Sequence, residues 1–380
     1  MPEQSLIIEM MLDGNPSTYV LGPLAGLELG RFVPSPPPVY IIDQMVADLH
    51  PAWIQQIQNN CLNCEQCTLL IPGGENIKSM AQLEKVYQWL GDQAVTRDST
   101  IVAVGGGTVL DLVGLAASTW RRGVNFVSIP TTLLAMVDAS LGGKTAINTA
   151  GVKNPVGSFH PARGILADVG FLSTLTCSDW RDGMAELIKT AAIGDAKLFA
   201  HIYAHRFDLA QKLGAGPGKE AIPGVLGALP WRQWVGRAAA VKAGIVNRDF
   251  REGSDRKALN LGHTLGHALE AYSHEEEKPL SHGQAVSIGM AVVFRIAAER
   301  NLCPLSEALQ VLELLEACGL PVSWPSPPLE RLEILLAGDK KTSARDGLSW
   351  VLPERIGKVN VNATVAIKEL LRWLDTPAAD

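Results

Sequence analysis

The sequence predicts an α/β domain built on a doubly wound parallel sheet, followed by a mainly helical domain. Three observations support this prediction. Short β-branched segments alternate with helical patterns in the first half of the chain. After about residue 170, helical periodicity dominates. The length of 380 residues fits two domains at roughly 150 residues each.

The first half contains strands that end in polar or glycine-rich turns. The segments are VYIID (39–43), CTLLIPGG (67–74), STIVAVGGG (99–107) and VNFVSIPTTLL (124–134). Apolar residues at helical spacing predict helices over 79–93 and 108–120. Strands that alternate with helices pair in parallel, and ligands of such sheets bind at the carboxyl ends of the strands.

The second half reads as helices joined by loops. The helical segments are RDGMAELIKTAAIGDAKLFAHIYAHRF (181–207), WVGRAAAVKAGIV (234–246), GHTLGHALEAY (262–272) and GQAVSIGMAVVFRIAAERN (283–301). Residues 212–230 are rich in Gly and Pro, which is typical of a surface loop. Residues 340–365 predict a short hairpin before a terminal helix.

Composition excludes several classes of protein. The apolar fraction of 47% excludes an intrinsically disordered chain. A net charge of −6 gives no general attraction to nucleic acid or to an anionic membrane. The N-terminus has acids where a signal peptide has bases, and we see no spanning helix. With only six cysteines, which do not make a disulfide scaffold, we expect a cytoplasmic protein with no nucleic-acid or membrane partner.

Three polar turns follow apolar strands and suggest a bound dinucleotide. Gly105-Gly106-Gly107 opens a predicted helix, whose N-terminal N–H groups suit a pyrophosphate. The run is not the usual G-x-G-x-x-G fingerprint, so a purely structural turn explains it equally well alone. PGGENIKS (72–79) and IPTT (129–132) end two neighbouring strands in the same way. Packing alone does not require three such turns.

The segment VDASLGGKTAINTAGVKN (137–154) carries sparse charges among glycines and small residues. Its polar side chains include Asp138, Lys144, Lys153 and Asn154. A charge run is usually a solvated face, but basic residues on a glycine-rich loop after a buried strand suit a phosphorylated or carboxylated ligand. We therefore predict a ligand-binding loop here.

Histidines and one glutamate form a candidate metal centre. His263 and His267 are spaced i, i+4 on a predicted helix, and His282 follows on the next one. Glu186 lies on another helix, three residues before Lys189. One Glu and two His give the three protein ligands of a catalytic zinc site. Spacing leaves open which two histidines bind. The run CLNCEQC (61–67) has no fourth cysteine nearby, so the sequence disfavours a metal cluster there.

Several motifs together resemble 3-dehydroquinate synthase, of the sugar phosphate cyclase group. They are GGGTVLDLVG, RRGVNFVSIPTTLLAMVDASLGGKTAIN, GVKNPVGSF, GMAELIK, NLGHTLGHALE and HGQAVSIGM. The resemblance runs in order from about residue 39 to 360, and the Val-Asp-x-Ser-x-Gly-Gly-Lys-Thr block is its most specific part.

The resemblance implies an N-terminal Rossmann-like NAD-binding domain (1–170) and a C-terminal all-helical metal- and substrate-binding domain (171–380), usually as a homodimer. It implies a lyase of the shikimate pathway, which supplies aromatic amino acids. The substrate is 3-deoxy-D-arabino-heptulosonate 7-phosphate, and the products are 3-dehydroquinate and phosphate. The implied cofactors are NAD and one divalent metal, zinc or cobalt.

The resemblance also implies roles for individual residues. The metal ligands are Glu186, His263 and His282, with His267 on the phosphate side. The other phosphate-pocket residues are Lys144, Asn154, Asn260 and Lys340, with Arg122 contributed by the partner subunit. Lys242 and Arg256 hold the substrate carboxylate, and Asp138 and Lys189 bind ring hydroxyls. The NAD contacts are Asp43, Glu75, Lys78, Gly106, Gly107, Asp111, Thr131, Thr132, Lys144, Lys153, Phe171 and Thr174. Lys341 adjoins Lys340, and the motif leaves open which of the two points inward.

Three positions depart from the family pattern. Met45 stands where the family usually has Asn, so one contact to the adenosine ribose is expected to be lost. Phe250 replaces an acid. Gln284 replaces the Glu of His-Gly-Glu, which is expected to remove an outer carboxylate from the metal site.

Alternative functions fit less of the sequence. A cyclase acting on sedoheptulose 7-phosphate or glucose 6-phosphate has no substrate carboxylate for Lys242 and Arg256. A metal-dependent alcohol dehydrogenase of related fold needs no phosphate cluster. A non-catalytic binding protein needs no complete metal triad.

Overall fold

The computed structural model divides into two compact units, each described by itself below. The first comprises residues 1–174 and 230–251, and the second residues 175–229 and 252–380. The structure describes residues 5–23, 29–33, 37–59, 67–214, 225–338 and 349–375.

The strands of the first unit form a large sheet and a separate hairpin. They are β1 (Leu6–Leu12), β2 (Asn15–Leu21), β3 (Val39–Asp43), β4 (Thr68–Ile71), β5 (Thr100–Gly105), β6 (Asn125–Pro130), β7 (Lys144–Thr149), β8 (Val152–Phe159) and β9 (Gly164–Ala167). The large sheet has the order β1-β2-β9-β6-β5-β3-β4. Among the described strands of this sheet, only the β1–β2 pair is antiparallel. The predicted parallel sheet is confirmed.

The helices alternate with these strands and then dominate the later chain. They are α1 (Gln44–Leu49), α2 (Pro51–Asn59), α3 (Met80–Asp92), α4 (Gly107–Thr119), α5 (Cys177–Gly194), α6 (Ala196–Ala204), α7 (Arg206–Leu209), α8 (Val225–Ala228), α9 (Trp231–Arg248), α10 (His263–Glu275), α11 (His282–Glu299), α12 (Leu305–Ala317), α13 (Leu329–Gly338) and α14 (Ile367–Leu374). The helical later part of the chain is likewise confirmed.

The core of the sheet explains why its central strands are readable from sequence. Every residue of β5 is buried, as are the first four residues of β3. A strand covered on both faces needs a continuous apolar run of β-branched residues. Chain order places β4 on one side of β3 and β5 on the other, so the sheet reverses direction between β3 and β5. Doubly wound sheets bind their ligands at such a reversal.

Helix α9 is part of the first unit, although the sequence grouped it with the helical domain. Its Gly236 lies so close to the sheet that an added Cβ would be 2.6 Å from the Leu6 side chain and 3.3 Å from that of Leu21. The helix thus covers the antiparallel β1–β2 pair. The periodicity of α9 predicts a helix correctly, but it cannot indicate which apolar surface that helix covers.

Part of the predicted glycine-rich loop at 137–154 is a hairpin. Strands β7 and β8 pair antiparallel and turn at Ala150 and Gly151, which have φ of 52° and 71°. Positive φ at both central positions suits a tight hairpin turn. The expectation of a loop was wrong because β8 is mostly exposed, so it lacks the apolar alternation by which strands are recognised.

In its described residues, the second unit packs helices around α11 and has a hairpin of β10 (Trp350–Arg355) with β11 (Lys358–Ala363). Helices α10 and α11 approach closely through glycines. Gly262 has φ of 77°, and a Cβ on Gly289 would overlap the carbonyl oxygen of Gly262. Among the described residues, no helix is long and apolar enough to cross a membrane.

Candidate functional site

The carboxyl ends of β3, β5 and β6 place the predicted nucleotide turns at one edge of the sheet. Asp43 ends β3. Gly73, in the turn after β4, lies so close to it that an added Cβ would be 2.6 Å from Asp43 Oδ2. Gly106 caps the N-terminus of α4 after β5. Thr131, after β6, donates its backbone N–H to the Gly105 carbonyl over 3.0 Å. This edge therefore presents glycine turns and a helix N-terminus beside the reversal point, as a pyrophosphate requires.

Lys78 joins two further predicted nucleotide contacts. Its Nζ lies 2.7 Å from Asp111 Oδ2 and 2.5 Å from Asn154 Oδ1, and the lysine is 4% exposed. Burial raises the pKa of Asp111, although the ammonium of Lys78 opposes that shift. The lysine thus links the turn after β4, helix α4 and the β7–β8 hairpin.

Asn148, which the motifs did not single out, holds the same network in place. Its backbone N–H donates to the Lys78 carbonyl over 2.7 Å, and its Nδ2 donates to Glu75 Oε1 over 2.8 Å. Its Oδ1 accepts the backbone N–H of Asn154 over 2.9 Å. Asn154 has φ of 56°, so this bond supports a strained left-handed residue. The sequence signal for Asn148 is its place at the end of KTAIN (144–148), within one of the motifs that carry the resemblance.

Asp138 and Lys242 form an ion pair within the first unit. The Lys242 Nζ lies 2.6 Å from Asp138 Oδ1 and also donates to the Asp138 carbonyl over 2.7 Å. Asp138 sits in a π-helical turn, Ala135–Ala139, and Lys242 projects from α9. Turns of this kind are frequent at functional sites. The resemblance assigns these residues separate roles, whereas the structure joins them.

Glu186, His263 and His282 converge in the second unit. The Nε2 atoms of His263 and His282 lie 3.2 and 3.3 Å from the same oxygen, Glu186 Oε1. The three ligand atoms all lie within 4.8 Å of one another. Lys189 pairs with the second oxygen of Glu186, and both of these residues are 1% exposed. A carboxylate and two imidazoles suit zinc or cobalt.

The protonation of this cluster agrees with a cation site. Burial disfavours ionisation of Glu186, but Lys189, His263 and His282 outweigh it and hold the Glu186 pKa well below its usual range. Burial and the Lys189 charge lower the pKa of His263, which favours a neutral imidazole. Burial also opposes a charge on His282, yet Glu186 and Glu270 raise its pKa to about 9. Lys189 and the two imidazoles thus stabilise the ionised form of Glu186, which is the form that would bind a cation.

The outer nitrogens of both histidines also have partners. His263 Nδ1 lies 3.2 Å from the Leu261 carbonyl, and His282 Nδ1 lies 3.5 Å from Glu270 Oε2. Such contacts fix the ring orientation, so that Nε2 is the atom directed inward. Glu270 was missed from the sequence, although it follows His263 and His267 by seven and three residues and so falls on the same helix face.

Gln284 was expected to remove an outer carboxylate from the metal site, but in the structure this residue has a different role. Its Oε1 accepts the Ser281 backbone N–H over 2.9 Å, while Ser281 Oγ accepts the Gln284 N–H, a reciprocal cap of α11. Glu270, not residue 284, supplies the carboxylate beside His282. Gln284 therefore stabilises a helix start, a role that glutamine and glutamate share.

Phe250 and Met45, the other two departures, lie in ordinary environments of the first unit. Phe250 packs edge-on against Phe159, with ring centroids 5.4 Å apart, and also against Gly143. Met45 is 64% exposed. Its backbone N–H donates to Asp43 Oδ1 over 2.9 Å, so the aspartate caps α1. Burial raises the pKa of the Asp43 carboxyl, although the hydrogen bonds it accepts from the Met45 and Val46 backbone oppose that rise.

The remaining predicted residues fall into three environments. Phe171 is buried and packs edge-on against the rings of His50 and Trp53, and Thr174 Oγ1 lies 2.9 Å from His50 Nε2. Arg256 is buried, and His267 packs against both His263 and His282. The residues that are exposed or only partly covered are Arg122, Lys144, Lys153, Thr132, Gly107 and Asn260. Lys340 and Lys341, with Cys61 and Cys64 of the cysteine run, lie outside the described residues.

Glu270→Gln is expected to weaken metal binding about 10- to 100-fold, because an outer carboxylate that orients a ligating histidine contributes that much to affinity. Titration of the apo-protein with Zn²⁺ against a chelating indicator measures the change. Glu275→Gln is the matched control, since Glu275 lies on the same helix and pairs with Arg331 on an exposed surface. Equal effects of the two substitutions would contradict an orienting role for Glu270.

Two family models cover most of the chain. Residues 68–182 match the model of the 3-dehydroquinate synthase N-terminal domain, and residues 183–342 match that of its C-terminal domain. The boundary between the two models falls inside α5, four residues before Glu186.

Similar proteins agree with these matches. The chain is 40% identical to 3-dehydroquinate synthase of Picosynechococcus sp. over 79% of this chain and 78% of that protein. It is 37% identical to the enzyme of Roseobacter denitrificans over 93% and 92%. Among solved structures, 2-epi-5-epi-valiolone synthase of Streptomyces hygroscopicus subsp. jinggangensis, with NAD⁺ and Zn²⁺ bound, is similar with a TM-score of 0.79 and 29% identity, over 94% of this chain and 95% of that chain. The chain belongs to the 3-dehydroquinate synthase family.

Proposed function

We propose that this chain converts 3-deoxy-D-arabino-heptulosonate 7-phosphate to 3-dehydroquinate and phosphate, as a shikimate-pathway lyase. The observation that carries the proposal is the convergence of His263 and His282 on one oxygen of Glu186. The family and the curated relatives with that activity support the same reaction.

NAD and one zinc or cobalt ion are the proposed cofactors. Glu186, His263 and His282 would hold the metal, and three protein ligands leave a coordination position for substrate oxygens. A metal ion there supplies Lewis-acid polarisation of those oxygens. The glycine turns at the carboxyl edge of the sheet would hold the dinucleotide. The structure supports this placement through the helix N-terminus at Gly106 and the buried Lys78 network.

Bound NAD would supply a reversible hydride acceptor for the substrate within one turnover. A ketone at the oxidised carbon would make the adjacent C–H acidic. Phosphate then leaves, and its own oxygens accept that proton, which fits the absence of a dedicated base among the predicted residues. Ring opening and an intramolecular aldol step close the carbocycle. The net reaction is a lyase reaction in which NAD is unchanged.

The chain's charged residues would orient this substrate. Lys242 and Arg256 would hold the carboxylate, and Asp138 and Lys189 would accept or donate to the ring hydroxyls. The phosphate pocket would be formed by Lys144, Asn154, Asn260, His267 and Lys340. These charged side chains would hold the reacting groups of the substrate in place. Such positioning and electrostatic stabilisation are the main contributions a protein makes to this kind of chemistry.

We also propose a cytoplasmic homodimer in which Arg122 serves the partner's site. Helix α4 begins at the glycine turn and runs 13 residues before the segment with Arg122, about 20 Å at 1.5 Å per residue. Arg122 therefore lies toward the opposite edge of the sheet from its own nucleotide turn. Arg121 and Arg122 have φ of 52° and 68° and are followed by Gly123, so a tight turn projects this exposed arginine outward.

Purified protein with NAD and Zn²⁺ is expected to release phosphate from the heptulosonate phosphate. Sedoheptulose 7-phosphate and glucose 6-phosphate, which lack the carboxylate, should give at most about 3% of that rate, since one buried charge pair contributes about 2–5 kcal/mol and each 1.4 kcal/mol is tenfold. A coupled phosphate assay and NMR of the product measure both. Turnover of sedoheptulose 7-phosphate but not of the acid would assign the chain to a different cyclase.

A further inference from the structure

Asp182 bonds the helix that carries Glu186 to the start of the helix that carries His282. Its Oδ1 accepts the Ser281 hydroxyl over 2.5 Å and the Gly283 backbone N–H over 3.0 Å. Asp182 precedes Glu186 by one helical turn on α5, and Ser281 and Gly283 flank His282. One carboxylate oxygen thus holds the residues on both sides of a proposed metal ligand.

The two helices are in backbone contact at this point. A Cβ on Gly283 would overlap the Cα of Asp182, so a side chain there would push α11 away from α5. The negative charge of Asp182 also faces the N-terminus of α11, where backbone N–H groups carry partial positive charge. Sterics therefore set the closest approach, and the hydrogen bonds prevent separation.

This contact controls the geometry of the metal ligands because it lies one turn from Glu186 and adjacent to His282. Sites of this kind need their ligands held to within about 0.5 Å. Glu270 orients the His282 ring through Nδ1, but an orienting contact does not fix where the His282 backbone lies. The bonds of Asp182 to Ser281 and Gly283 fix that backbone.

Gln284 stands where the family usually has a glutamate, so negative charge at the start of α11 has to come from another residue. Gln284 holds the Ser281 N–H but brings no charge to the start of α11. Asp182, from a different helix, supplies the carboxylate at that helix start, and burial raises its pKa while Ser281, His282 and Gly283 oppose the shift. In this chain, the charge beside His282 comes from neighbouring helices.

We propose that Asp182 is a positioning residue that sets the separation of Glu186 and His282 and thereby the affinity of the metal site. The inference rests on the proposed function, because it assumes that these residues bind a divalent ion. It assigns Asp182 no contact with substrate or with the ion.

Co²⁺ binding to the apo-protein tests this role without reference to turnover. Asp182→Ala should weaken Co²⁺ affinity about 10- to 100-fold and shift the visible absorption bands of the bound ion, which report ligand geometry. Asp182→Asn should lie closer to the unchanged protein, because an amide oxygen can still accept both hydrogen bonds. The matched control is Asp179→Ala, since Asp179 closes the capping box at the start of the same helix and should lower only the melting temperature.

A second pair of variants covers the case in which Asp182→Ala does not fold. Ser281→Ala removes the hydroxyl bound to Asp182, whereas Gln284→Ala removes only the other half of the same cap. Ser281→Ala should weaken Co²⁺ binding more than Gln284→Ala does. Unchanged affinity and spectra in both Asp182→Ala and Ser281→Ala would overturn the proposal. If the unchanged protein bound no Co²⁺, the proposed function itself would fail.

Discussion

Replacing Glu186 with glutamine is expected to eliminate tight metal binding and lower phosphate release by about 10³-fold or more. Glu186 Oε1 is the atom on which both imidazoles converge, and a neutral amide neither attracts a divalent ion nor neutralises the buried ammonium of Lys189. Lewis-acid stabilisation is worth several kcal/mol, and each 1.36 kcal/mol is tenfold in rate. Elemental analysis after dialysis and the phosphate assay give the two measurements.

His267→Ala is the informative comparison for this loss. Its ring lies 5.3 Å from that of His263, yet within the described residues the convergent donor set contains only Glu186, His263 and His282. We expect His267→Ala to retain its metal and to lose activity through a raised KM for the phosphorylated substrate. Equal metal loss in the two variants would mean that the three histidines share the ion differently.

Lys242→Met is expected to lower kcat/KM for the heptulosonate phosphate by about 30- to 4,000-fold. Truncating one partner of a desolvated charge pair costs about 2–5 kcal/mol, and each 1.4 kcal/mol is tenfold. Lys242 is 5% exposed and also holds Asp138, so the loss should include a lower urea midpoint of unfolding. Steady-state kinetics and urea titration measure the two effects.

Product inhibition separates the role of Lys242 toward the carboxylate from its role toward Asp138. Inhibition by 3-dehydroquinate, which carries the carboxylate, should weaken in Lys242→Met, whereas inhibition by inorganic phosphate should not change. Asp138→Asn alone and in the double variant measures the coupling within the pair. Lys85→Met, an exposed position on α3, is the surface control. Equal weakening of both inhibitors would show that Lys242 acts only through local folding.

The buried strands could be predicted because their burial dictates their sequence. A strand covered on both faces, such as β3 or β5, needs an unbroken apolar run that survives in any context. The β7–β8 hairpin and the β1–β2 pair could not be predicted in the same way. Most of β8 is exposed, so packing in a core does not constrain its residues to the apolar pattern by which strands are recognised.

The metal centre could be predicted in part from residue type, because carboxylate and imidazole at helical spacing indicate metal chemistry. Spacing alone did not distinguish His267 from His282, and only the resemblance made that choice. Glu270 and Asp182 act through contacts between residues 12 and 101 positions apart, respectively, at His282 and Gly283. Contacts between helices leave no periodic signal, so such supporting residues are visible only once the helices are packed.

The backbone contact at Gly262 and Gly289 sets how closely α10 and α11, the helices of the two proposed histidine ligands, can approach. Main-chain atoms of the two helices meet there without an intervening side chain, since a Cβ on Gly289 would overlap the Gly262 carbonyl oxygen. Any other residue at position 289 would have to push one helix away from the other, and the two imidazoles with them. Glycine at a position with no ligand atom of its own is therefore part of what keeps His263 and His282 within reach of a single ion.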